Sequence, residues 1–167
     1  MRTLITNERG MSLAEVLIAV AILGVGIVGL ASVIPGGSYA VQHGSQLSTA
    51  TFLAQEMIER ARAVPWTGTP ATDCLGVSTG NAAPVPTGAT CNGATGTQFP
   101  DEAAVAGYPG YRRTVRVTNC GVTSCIAGLT HPGMRLVRVT VSYRGVSASG
   151  AATTDTPVTL DWLVAQK

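Results

Sequence analysis

Lysine is all but missing from this chain: Lys167 is the only one, and acidic and basic residues together make up 12% of the sequence. A net charge of +2 is too slight to argue for nucleic acid on charge alone. Histidine occurs twice, as His43 and His131, and no two of the four cysteines stand at the two-residue spacing of a zinc knuckle, so no metal centre is expected. There is no Ser/His/Asp or Cys/His arrangement and no phosphate-cradling glycine loop, and the nine acids are scattered. These absences argue against an enzyme and against a bound cofactor.

What the chain does have is one long apolar run near its start. From Val16 to Ile34 the only polar side chain is Ser32. At a rise of about 1.5 Å per residue such a helix comes close to spanning a hydrocarbon core of roughly 30 Å. Arg2, Arg9 and the α-amino group flank it on the N-terminal side, while the distal side has no Lys or Arg before Arg60. The positive-inside rule then places the N-terminus in the cytoplasm and the remainder across the inner membrane, in the periplasm. Glu15 is the anomaly, a carboxylate at the edge of an uncharged span, where a charge is tolerated only with a partner. A cut between Gly10 and Met11 would create an amine four residues away that supplies one, on this subunit or on a packed neighbour.

The residues RGMSLAEVLIAVAILGVGIVGL resemble the N-terminus of a type IV prepilin: a short charged leader ending in Gly, then Glu five residues on. Farther along, TATFLAQEMIERARAVPW and the terminal VTLDWLVA are similar to minor pilins of the pilus modification-protein group and to minor pseudopilins of type II secretion. The resemblance implies cleavage at Gly10/Met11 by a prepilin peptidase, N-methylation of Met11, and Glu15 as the assembly residue. It implies residence in membrane lipid, extraction by an inner-membrane assembly platform, and packing with other pilin subunits into an extracellular or periplasmic filament. The family's usual first mature residue is Phe; Met11 points to a minor subunit. Glycine and proline weaken helices, and the resemblance makes Gly24, Gly26, Gly29 and Pro35 a zone that melts on assembly. Some secretion pseudopilins bind calcium, but the adjacent acids Asp101 and Glu102 lack a D-x-D pattern and read as a solvated turn.

The expected organisation is a leader over 1–10, a transmembrane and assembly helix over 11–37, an amphipathic helix over 38–65, a disulfide-pinned loop over 66–110, and an antiparallel sheet over 111–167. In the second helix Leu47, Ala50, Leu53, Ala54, Met57, Ile58, Ala61 and Val64 form an apolar stripe, Ser38 reads as its N-cap, Glu56 and Arg60 make an i,i+4 pair, and Pro65 stops it. Cys74, Cys91, Cys120 and Cys125 all fall on the oxidising side, which predicts disulfides. Of three possible connectivities the local one, Cys74 to Cys91 and Cys120 to Cys125, is favoured, because each pair brackets a loop-like stretch.

The last third alternates: Tyr111, Val115 and Val117; Val137, Val139, Val141 and Tyr143; Val158, Leu160, Trp162 and Val164. Three half-buried strands follow, joined through 121–133 and 145–157, with Arg112, Arg116, Arg138 and Arg144 on the wet face. Those arginines could hold DNA phosphates, but a solvated sheet face is the better reading. The expected fold is thus α+β and pilin-like, one long N-terminal helix packed on an antiparallel sheet of at least three strands. Besides a filament subunit, a membrane-anchored periplasmic binding domain stays open. So does a soluble protein released by a signal peptidase after Ser38-Tyr39-Ala40, although the apolar run is longer than a usual signal core.

Overall fold

The computed structural model describes residues 10–66, 72–87, 91, 96–126, 128–147 and 150–166. The leader, apart from Gly10, lies outside them. Helix α1 spans Leu13–Ala63 as one element and ends two residues before Pro65, whose ring disfavours helical geometry in the preceding residue. Ser38, read above as an N-cap, sits within it. The chain divides into two units, Met1–Val41 and Gln42–Lys167.

In the second unit the helical stripe Ala50, Leu53, Ala54, Met57, Ile58 and Ala61 is buried. Leu47, assigned to the same stripe from spacing, stays 43% exposed. Glu56 and Arg60 pair on the flank of the stripe at 2.5 Å. The stripe packs with the inner face of a sheet made by β1 (Tyr111–Asn119), β2 (Met134–Ser147) and β3 (Gly150–Ala165), in the order β1-β2-β3 with both pairings antiparallel. Val115, Val117, Val137, Val139 and Val141 have no exposed surface. Each such burial stabilises the fold by roughly 1.5–3 kcal/mol. The core therefore lies between one helix face and one sheet face.

Both strands of the second hairpin are longer than alternation alone predicts. β2 runs on through a register shift between Arg144 and Val146 to Ser147, and β3 begins at Gly150 rather than Val158. Residues 150–157 carry little apolar alternation; what makes them a strand is pairing with β2, with Pro157 opposite Ser142 and Asp155 opposite Arg144. A proline is admissible there because β3 is an edge strand.

The described parts of 72–110 contain isolated bridges, Val77 to Val85 and Glu102 to Arg113, rather than strands. Disulfides join Cys74 to Cys91 and Cys120 to Cys125. Gly76 takes a φ of +74°, and a Cβ there would lie 2.5 Å from the Val85 backbone, so the close approach inside the first loop requires glycine.

Candidate functional site

Ser12 starts α1: the Glu15 N–H donates to Ser12 Oγ at 3.2 Å, one half of a capping box. The short polar hydroxyl satisfies a donor that a helix start otherwise leaves orphaned. Glu15 thus lies in the first turn, where the helix dipole favours negative charge. The motif S-L-A-E carries this start signal in the sequence. From Leu13 to Ile34 the apolar side chains are exposed, and none of the candidate membrane-spanning window is buried. Ser32 does not break the run, since its hydroxyl donates to the Gly29 carbonyl at 2.7 Å. Gly24, Gly26 and Gly29 are helical, with nothing within 4 Å of a would-be Cβ. Pro35 lies within the helix span, and its side chain lies outside the described residues.

The arginines of the sheet form a second group, and the structure disposes of each. Arg138 forks onto its register partner Asp161 with two bonds of 2.8 Å. Arg116 forks onto Asp101 at 2.6 and 2.8 Å. Arg112 and Arg144 share Asp155 at 3.2 and 3.5 Å. These hydrogen-bonded guanidinium groups hold the Asp101 and Asp161 carboxyls below the ordinary carboxylate value, against an opposing push from burial. The outer face thus offers paired rather than free cations. A phosphate backbone would have to displace an aspartate at each contact.

Two further arginines point inward and were not placed by the sequence reading. Arg113, 2% exposed, donates from Nε to Glu102 at 2.6 Å and from Nη1 to the Leu53 carbonyl at 3.1 Å and to Glu56 at 3.2 Å. It ties helix, strand and the 102–110 segment together. Arg135 pairs with buried Asp73 at 2.6 Å and lies over the Trp66 ring at 4.8 Å. Arg113 shares strand parity with Val115 and Arg135 with Val137, so alternation puts both on the inner face. Asp101 and Glu102, weighed above as calcium ligands, are consumed by Arg116 and Arg113. Among the described residues no group of three His, Cys, Asp or Glu side chains is arranged to hold a metal.

Comparison with known proteins bears on the first group. Searches of curated proteins and of solved structures return no match. Residues 5–31, which contain Ser12, Glu15 and most of the exposed apolar run, match the model of the prokaryotic N-terminal methylation motif. The chain thus presents, at the head of an apolar helix fit to anchor it in a membrane, the N-terminus of a type IV prepilin-like protein.

Proposed function

We propose that the chain is a minor pilin, a structural subunit of a type IV pilus or related filament. Prepilin peptidase cuts between Gly10 and Met11, and Met11 is N-methylated. The apolar helix holds the subunit in the inner membrane with its N-terminus cytoplasmic and residues 42–167 periplasmic. An assembly platform then extracts it to pack with other pilin subunits. The observation that carries this reading is the uncovered apolar run, with a carboxylate at its head inside a matching methylation motif. A surface of that size needs lipid or the same helix of a neighbour to cover it. Gly24, Gly26, Gly29 and Pro35 make the stretch that loosens when the covers are exchanged.

Glu15 and Gly10 do separate jobs in this scheme. In a water-poor helix bundle the Glu15 carboxylate meets the Met11 α-amine of an adjacent subunit, and leaving either charge unpaired costs several kcal/mol. Glu15→Ala is expected to be processed and inserted yet absent from sheared filaments, with Glu15→Asp intermediate. A bulky replacement of Gly10 is expected to leave an uncleaved precursor. Precursor size and the filament fraction, followed together in one strain, test both. Incorporation of Glu15→Ala at the parental level would overturn the proposal.

A further inference from the structure

The two edges of the sheet are finished differently. Along the outer edge of β1, Arg113 exchanges two backbone bonds of 2.9 Å with Glu102, the Tyr111 carbonyl accepts from Val105 at 2.9 Å, and Val117 bonds Ser78 through both its N–H and its carbonyl. That edge is closed by the chain itself. Along β3, Gln166 N–H donates to Gly133 on the β2 side at 2.7 Å. Antiparallel alternation then directs the even-numbered backbone groups of β3 at β2 and the odd-numbered ones, from Asp155 to Ala165, outward. Among the described residues none of these outward groups has a backbone partner. Pro157 is one of them, which fits, because its missing N–H removes no bond to β2.

The side chains repeat the asymmetry. The inward valines of β2 are fully buried, whereas Val158, Leu160, Trp162 and Val164 of β3 are only partly covered. Trp162, Val164 and Ala165 also line an open apolar cavity of about 370 Å³ with Trp66 and Leu75. A strand laid beside β3 would satisfy the outward groups and extend the core over these side chains in one step.

We infer that the outer edge of β3 is a docking edge for an extended segment of a different polypeptide. Among the described residues the other edge of the sheet, that of β1, is already occupied, so a copy of this chain cannot add head to tail. Two-fold pairing of β3 with β3 would lay two β3 edges side by side, with no Lys or Arg on either strand. It would also set the subunits antiparallel, contrary to a polar filament; that exclusion alone rests on the function proposed above. The fitting partner strand alternates apolar residues, which continue the inner face, with polar ones.

Residue-level hydrogen exchange on the full chain tests this, comparing native envelope extract with the detergent-dispersed monomer. The amides of Thr159, Asp161, Leu163 and Ala165 are expected to slow by about tenfold or more in the extract, with those of Leu160, Trp162 and Val164 unchanged. Thr159→Pro removes one outward donor and no bond to β2, and is expected to abolish the difference. A benzoyl-phenylalanine in place of Thr153 in the otherwise parental chain should cross-link to a different polypeptide, at alternate residues of one segment. Equal exchange in both preparations, or a β3-to-β3 cross-link between copies, would overturn the inference. Absence of the chain from sheared filaments would instead overturn the filament reading, and protection in the envelope extract still decides the edge.

Discussion

Arg135 Nη1 lies 2.6 Å from Asp73 Oδ1, and both side chains are buried, 62 residues apart in sequence. The same Asp73 oxygen accepts from the Gly76 N–H at 3.0 Å, and Arg135 reaches the Gly76 carbonyl at 3.1 Å. The pair thus fastens the disulfide-bearing loop to β2. Truncating Asp73 leaves Arg135 buried without its counter-charge. Asp73→Ala is therefore expected to cost about 3–5 kcal/mol. Breaking the exposed Arg62–Glu59 pair should cost 0 to about 1 kcal/mol. Chemical unfolding of the full chain in detergent, followed by Trp66 and Trp162 fluorescence, measures both. Equal losses would mean that the buried pair has no special weight.

Acid should weaken the fold through Asp101 and Asp161. Hydrogen bonds from Arg116 and Arg138 hold both carboxyls below their ordinary value of 3.8 in the folded state. Between the folded and unfolded values the unfolded chain binds more protons, so the contribution is complete above about pH 4 and disappears as pH falls through the folded value. Stability is expected to be level with respect to these groups above that point and to drop below it. The double variant Asp101→Asn/Asp161→Asn should show a shallower acid limb, read from unfolding midpoints at a series of pH values.

The two disulfides should contribute unequally. Cys74 and Cys91 are 17 residues apart and Cys120 and Cys125 are 5 apart. On loop-closure entropy the longer loop is worth about 3 kcal/mol and the shorter about 2 kcal/mol. Paired Cys→Ser variants, compared by denaturant midpoint, should fall in that order. The reverse order would show that enthalpic terms dominate at the short loop.

The outer sheet face should be a poor ligand for DNA while its arginines are paired. Asp161→Asn leaves Arg138 without its carboxylate and is expected to raise duplex affinity at low salt, with a steeper salt dependence by about one unit of slope. Arg138→Gln should change the parental affinity little. A marked loss of binding in Arg138→Gln would show that the arginine contacts phosphate despite Asp161.

The long apolar run, the amphipathic stripe from Ala50 to Ala61 and the alternation in the last third were legible because each repeats with the period of its own secondary structure. Such patterns need no knowledge of the partner, only that one face meets apolar surroundings. The cleavage and assembly roles of Gly10, Met11 and Glu15 rest on the motif of residues 5–31 and are chemistry to be tested in the cell. Tertiary structure alone decided how Arg113 and Arg135 are satisfied inside, since their carboxylate partners come from segments 11 to 62 residues away. It also decided that residues 150–157 form strand, because pairing with β2 outweighs the local Gly, Ala, Asp and Pro and the lack of apolar alternation. Local sequence dictates which backbone shapes and faces are favoured; only the fold brings together the distant charges and edges that settle where a polar group can be satisfied.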